Sequence, residues 1–104
     1  MSTHADDRLQ IERDESGTVQ LIGEIDPANA ERLRKALAEL RGSGPLVVDL
    51  QQVTYLDSAG VSALFDAAHS DLHLLVRADS AVATVIRICA LPLVAHVEYV
   101  AAPA

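Results

Sequence analysis

The sequence has 104 residues, of which half are apolar and 22% are charged. That length suits one compact domain, expected to span residues 1–104 with an ordered core over about 7–100, and the apolar content excludes a disordered chain. The formal net charge of −7 at pH 7 argues against binding nucleic acid or an anionic membrane, because both carry dense negative charge. We therefore expect protein partners.

Cysteine content and the length of the apolar runs indicate the cellular compartment and the expected metal content. Cys89 is the single cysteine, so neither an internal disulfide nor a thiolate metal site is expected. The first seven residues are polar and acidic, unlike a signal peptide. No fully apolar run approaches the roughly 20 residues needed to cross a bilayer. We predict a cytoplasmic protein with no metal and no cofactor.

The first part of the chain predicts a β-hairpin followed by a helix. Two runs of alternating apolar and polar residues predict antiparallel strands joined by a turn at 14–17; their apolar positions are Leu9, Ile11, Val19 and Leu21. Asp26 and Pro27 are typical of a helix start, because the carboxylate accepts free amide hydrogens and proline lacks one. The helix is predicted to end near Arg41 and to bury Ala30, Leu33, Leu37 and Leu40.

Beyond residue 45 the pattern alternates between strands and helices. Further strands are predicted as short apolar runs at 46–50, 72–77 and 93–100. Further helices are predicted to begin at Asp57 or Ser58, after a connector over 51–56, and at Asp79 or Ser80. Their predicted ends are the break at Ser70-Asp71 and Pro92. Their predicted buried faces are Val61, Leu64, Phe65 and Ala68, and then Val82, Val85, Ile86 and Cys89.

The element order β-β-α-β-α-β-α-β predicts an α/β fold. Right-handed crossovers between successive strands give parallel neighbours. We expect a mixed sheet of about five strands, antiparallel only at the first hairpin, with three or more helices packed largely on one face.

Catalytic and metal-binding patterns are weak. His69 and His73 have the offset of one helical turn, but the predicted break at Ser70-Asp71 places them on different elements. Asp26 and Asp57 could approach each other as acid and base, because both open helices at strand ends. Nothing in the sequence, however, supplies a substrate pocket for them. Ser58 as a nucleophile lacks an identifiable base. We predict that the protein is not an enzyme.

The segment 57–60, Asp-Ser-Ala-Gly, carries the strongest signal in the chain. A buried strand and a short connector deliver Ser58 to a helix N-terminus, where free amides and the helix dipole favour a phosphate. The alternative is that Asp57 and Ser58 only cap the helix. The chemistry alone leaves both interpretations open.

This segment resembles the Asp-Ser-x-Gly signature of the STAS family, the sulfate transporter and anti-sigma factor antagonist domain. Segment 23–26, Gly-Glu-Ile-Asp, is similar to the Gly-Glu-Leu-Asp that precedes the first helix in that family. The predicted element order agrees over about residues 7–100. The resemblance implies a single STAS-like domain across nearly the whole chain.

The resemblance also implies a function by partner switching. The unmodified antagonist would bind an anti-sigma factor with a histidine-kinase-like ATPase fold, which would release the complex by phosphorylating Ser58, and a phosphatase would reverse the step. The alternative is a regulatory or scaffold STAS subunit of another complex, such as a stressosome or a lipid-transport ATPase. The expected partner-binding residues are Asp26, Tyr55, Leu56, Asp57, Ser58, Ala59, Gly60 and Ser62.

Overall fold

The computed structural model describes residues 8–69 and 71–102. The expectations for residues 1–7, for Ser70 and for the last two residues lie outside this part of the chain. The strands are β1 Leu9–Arg13, β2 Val19–Ile25, β3 Leu46–Leu56, β4 Leu72–Arg77 and β5 His96–Val100. The helices are α1 Ala30–Leu40, α2 Ser58–Ala67, α3 Ala81–Ile88 and α4 Leu91–Val94.

The strands form one five-stranded sheet in the order β1-β2-β3-β4-β5. β1 and β2 are antiparallel, and every later neighbour pair is parallel. Leu33, Leu64 and Ile86, one from each long helix, pack into a single core with the buried strand residues. The predicted α/β fold and mixed sheet are confirmed, including the single antiparallel pair at the first hairpin.

The hairpin turn is organised by one carboxylate. Asp14 Oδ1 accepts hydrogen bonds from the Ser16 hydroxyl (2.6 Å), the Ser16 amide (2.9 Å) and the Thr18 amide (3.1 Å). The Ser16 hydroxyl makes the largest contribution to holding the pKa of Asp14 below its ordinary value. Gly17 completes the turn with a φ of 91°, which glycine adopts without steric cost.

The predicted connector over 51–56 is wrong, because β3 continues through it to Leu56. β2 pairs with this outer half of β3, for example Glu24 with Tyr55 and Ile25 with Leu56. Two register shifts interrupt the pairing, so polar and apolar residues no longer alternate strictly there. β4 pairs with β3 only at residues 46–49.

Three boundaries, two of helices and one of a strand, also differ from the prediction. α1 begins at Ala30 rather than at 26–27, because the Asp26 carbonyl accepts from the amides of Asn29 and Ala30 in a preceding turn. α3 ends at Ile88, and Pro92 lies inside the short helix α4 rather than ending α3. β5 consequently begins at His96 rather than at residue 93.

The buried faces of α2 and α3 are rotated slightly from the predicted ones. In α2 the fully buried residues are Gly60, Ala63, Leu64 and Ala67. Val61, Phe65 and Ala68 are half-buried at the edge of the core. In α3 the buried residues are Val82, Ala83 and Ile86, while Val85 and Cys89 are half-buried. Small residues at these buried positions allow the helices to pack closely against their neighbours.

Candidate functional site

Ser58 is the first residue of α2, and its side chain is exposed. The helix is capped by Asp57, whose Oδ1 accepts from the amides of Ala59 (3.0 Å) and Gly60 (3.2 Å). The capping interpretation of segment 57–60 therefore applies to Asp57 and not to Ser58. Asp57 is the cap, and the Ser58 hydroxyl is presented to solvent at the helix N-terminus.

Gly60 allows this helix start to rest directly on the ends of two strands. A Cβ at Gly60 would lie 2.4 Å from Leu56 Cδ1 and 2.7 Å from Ile25 Cγ2. Ile25 and Leu56 are paired in register as the last residues of β2 and β3. Because only glycine fits this contact, Gly60 fixes the height of Ser58 above the sheet.

Gly23 has a matching role in the other motif. Its φ is 116°, and a Cβ there would lie 1.8 Å from the carbonyl oxygen of Arg8. This close approach brings Arg8 to the end of β2, where its guanidinium pairs with Asp26 at 2.6 Å. The Asp26 side chain is only 14% exposed, and its other oxygen accepts from the Ala28 amide at 2.9 Å. Asp26 is therefore a neutralised structural carboxylate.

Asn29 was missed by the sequence analysis and holds the same corner. It is 1% exposed, so its polar side chain lies within the core. Its Oδ1 accepts from the Asp26 amide (3.0 Å), and its Nδ2 donates to the Glu24 carbonyl (2.9 Å). Asparagine directly before the apolar pattern of α1 was a usable signal, because asparagine is favoured where helices begin.

An ion cluster joins α1 to the exposed face of α2. Arg34 on α1 pairs with Asp66 on α2 and with Glu31 one turn earlier on its own helix. Asp66 and then Glu31 raise the pKa of the Arg34 guanidinium by hydrogen bonding to its charged form. Arg34 also donates to the Ser62 hydroxyl at 3.4 Å. Ser62, predicted as a contact residue, is thus linked to α1 by a residue that the sequence analysis did not single out.

Some of the predicted site residues are exposed, and others are buried beneath them. Tyr55, half of whose surface is exposed, lies with Ser58 and Ser62 on the outside. Leu56 and Gly60 are buried beneath them. We use the term "α2 surface" for the accessible members of the set, namely Tyr55, Asp57, Ser58, Ala59 and Ser62.

Within the described part of the chain, His69, His73, His96 and Cys89 lie away from Ser58. His73 and His96 are paired at the amino ends of β4 and β5, with ring centroids 4.9 Å apart. His69 follows the far end of α2, and the half-buried Cys89 thiol contacts the Ile86 carbonyl at 3.3 Å. Within residues 8–69 and 71–102, no group of three metal-ligating side chains is found. No helix in that part of the chain is both long and apolar enough to cross a membrane.

Comparison with known proteins identifies the family. Residues 9–91 match the family model described as Mlab, STAS domain, so the chain belongs to the STAS family. A solved structure described as an anti-sigma factor antagonist from Mycobacterium paratuberculosis shares the fold, with a TM-score of 0.67 and 23% identity over 92% of this chain and 85% of that chain. A search of curated proteins finds no match. The resemblance inferred from segments 23–26 and 57–60 is confirmed at the level of family and fold.

Proposed function

We propose that this protein is an anti-sigma factor antagonist that binds an anti-sigma factor through the α2 surface and is released when Ser58 is phosphorylated. The observation that carries the proposal is the exposed Ser58 hydroxyl, held by Asp57 and Gly60 at the first turn of α2 in a STAS domain. The fold shared with an anti-sigma factor antagonist supports the same role.

The phosphoryl transfer needs only a nucleophile from this chain. The Ser58 oxygen attacks the γ-phosphorus of ATP bound to a histidine-kinase-like partner, the bond from that phosphorus to the β–γ bridging oxygen breaks, and ADP leaves. The hydroxyl proton passes to a base on the partner, since Oδ1 of the adjacent Asp57 is engaged as the helix cap. A separate phosphatase restores the hydroxyl by hydrolysis.

Phosphorylation releases the partner through charge rather than through refolding. A phosphate adds about −1.5 to −2 charges at pH 7. The amides that would stabilise it at the helix start, those of Ala59 and Gly60, already bond to Asp57. The dianion therefore keeps its hydration, and burying it in an interface costs several kcal/mol unless a cation is supplied.

The test is phosphoryl transfer from ATP by a purified anti-sigma factor with a histidine-kinase-like fold. We expect ATP to add one phosphate to the wild type and to Ser62→Ala, and none to Ser58→Ala. Ser62 is a matched control, because it is an exposed serine one turn further along the same helix. Modification of Ser58→Ala to the same extent would overturn the assignment of the acceptor.

The second candidate function is a regulatory or scaffold subunit of another assembly, such as a stressosome or a lipid-transport ATPase. The matching family model is described as Mlab, STAS domain, rather than as an antagonist, and that observation favours this candidate. It predicts a complex that forms equally well with Ser58→Asp and Ser58→Ala. Dependence of the complex on the charge at residue 58 distinguishes the two functions.

A further inference from the structure

The two edges of the sheet are protected to different extents. At the β1 edge the Arg8 carbonyl faces β2, since it accepts from Glu24, so the next carbonyl, that of Leu9, faces outward. Arg32 donates to this Leu9 carbonyl at 2.5 Å, and β1 also carries charged residues at 12 and 13. Natural proteins use such charges to prevent an edge strand from pairing.

The β5 edge has less of this protection. Its sequence is His-Val-Glu-Tyr-Val, with Glu98 as its one acidic or basic residue other than histidine. The Val100 carbonyl accepts from the Ala78 amide at 2.8 Å and therefore faces inward. Because backbone groups alternate along a strand, Val97 and Tyr99 direct their amides and carbonyls outward.

Exposed apolar side chains lie next to this edge. In α4, which leads into β5, Leu93 is 86% exposed and Val94 is 46% exposed. No Asp, Glu, Lys or Arg occurs from residue 88 to residue 97, although the chain as a whole has a net charge of −7. Exposed apolar patches of this kind mark interaction surfaces.

We propose that β5 is a self-association surface, on which a second copy of this chain pairs antiparallel across a twofold axis at Val97. At that axis the outward amide of Val97 donates to the Val97 carbonyl of the second copy, and the reverse bond forms by symmetry. The outward Tyr99 amide donates to the Ala95 carbonyl of the second copy. The Ala95 amide needs no new acceptor, because it already donates to Leu91 at 2.9 Å.

Complementary hydrogen-bonding side chains favour a second copy in this register, because an imidazole N–H can donate to a carboxylate. With the axis at Val97, His96 lies directly opposite Glu98 of the second copy, and Glu98 lies opposite His96. Moving the axis by one residue to Glu98 would pair Val97 with Tyr99 of the second copy and keep the outward amides bonded, but it would place two carboxylates directly against each other. The Val97 axis also brings the exposed Val94 toward Val100 of the second copy.

The net negative charge of the chain makes this association depend on salt concentration. Two chains of net charge −7 repel each other, and salt screens that repulsion over distances of about 10 Å at 0.1 M. The hydrogen bonds and apolar contacts at β5 are not weakened in the same way. We expect a concentration-dependent dimer that strengthens as salt is raised from low ionic strength.

The test is sedimentation equilibrium on the full chain up to millimolar concentration, with variants of β5. We expect Val97→Pro to remain monomeric and folded, because proline at an outward-facing position of an edge strand removes no bond to β4. His96→Glu should weaken the dimer about tenfold, because each of the two pairs then sets one carboxylate against another. The double variant His96→Glu/Glu98→His should restore the dimer, since it exchanges the same two groups.

Amide hydrogen exchange shows whether the outward edge of β5 is the surface that pairs. The amides of Val97 and Tyr99 should gain protection as protein concentration rises, while the Glu98 amide, which faces β4, should be protected throughout. A wild type that stays monomeric at every concentration overturns the proposal. If neither His96→Glu nor Val97→Pro weakens the dimer, the proposal is overturned as well, because the dimer must then use another surface. None of these outcomes depends on Ser58.

Discussion

The amides and charged groups near Ser58 already have partners other than the serine side chain. Asp57 occupies the amides at the start of α2, and Arg8 neutralises Asp26 at the neighbouring strand end. These amides and the Arg8 guanidinium could bind a phosphate on Ser58 only if Asp57 or Asp26 were displaced. Modification at this position should therefore alter the surface and leave the fold in place.

Substitutions at Ser58 separate these two effects. We predict that Ser58→Asp keeps the melting temperature and circular dichroism of the wild type but loses the anti-sigma factor, because the interface must desolvate a charge. Ser58→Ala should bind the partner and resist release by ATP. Calorimetric titration of both variants checks this. Equal affinities, with both proteins folded, would contradict the proposed switch.

Gly60 sets the position of the serine, and a single methyl group tests that role. Gly60→Ala would place its Cβ 2.4 Å from Leu56 Cδ1, so we expect a loss of about 1–3 kcal/mol in the free energy of unfolding from overpacking. Gly42→Ala is the matched control, since a Cβ at Gly42 meets no atom within 4 Å. Urea denaturation of the two variants measures the difference, and equal stabilities would show that α2 can shift to accept the methyl group.

Asp14 provides a pH-dependent feature remote from the switch. Its pKa is lowered chiefly by the Ser16 hydroxyl, so its contribution to stability is present above its unfolded-state pKa and is lost as pH falls through the folded-state value. We predict that Ser16→Ala raises the pKa of Asp14 toward its ordinary value. Carboxyl chemical shifts followed by NMR during an acid titration test this, and an unchanged midpoint would assign the shift to the backbone amides instead.

At the scale of elements, α2 depends on its N-terminal cap. Asp57→Ala removes the acceptor for two amides and should cost about 0.5–2 kcal/mol of stability. Asp57→Asn keeps an oxygen acceptor and should retain most of that stability. Chemical denaturation distinguishes the three proteins. If Asp57→Ala is as stable as Asp57→Asn, water replaces the cap at no cost.

The sequence predicted elements well wherever local chemistry decides them. The hairpin at 14–17 and strand β4 follow from turn residues and from an apolar run. The outer half of β3 was assigned to a connector because its polar residues are stabilised by pairing with β2, a long-range contact that local pattern does not contain. Helix α4 was missed because Pro92 was taken to end α3, whereas it occupies the first turn of α4, a position that proline suits.

The candidate site was predictable as two motifs but not as one structure. Segments 23–26 and 57–60 are far apart in the chain and meet because Ile25 packs over Gly60. The sequence could not separate the exposed Ser58 from the buried Leu56, because both lie in the same short stretch. It also missed Asn29 and Arg34, whose partners lie on the β2–α1 corner and on α2 respectively.

At the scale of the whole molecule, the proposed partner surface occupies one end of the domain. Helices that follow parallel strands all begin at the same end of the sheet, so Ser58 and Ser62 lie near that end. Ser43 lies in the loop between α1 and β3, at the opposite end, and is also exposed. The two ends can therefore be tested with identical substitutions.

We predict that Ser62→Arg weakens binding of the anti-sigma factor, whereas Ser43→Arg leaves it unchanged. Both substitutions add one positive charge and one long side chain to an acidic protein, so differences in net charge cancel. At residue 62 the new guanidinium lies beside Arg34, and Asp66 and Glu31 offset the repulsion, so the melting temperature should change little. Titration calorimetry with thermal melts measures both properties. Equal loss of binding at both positions would indicate an effect of charge alone, and equal retention would place the interface away from the α2 surface.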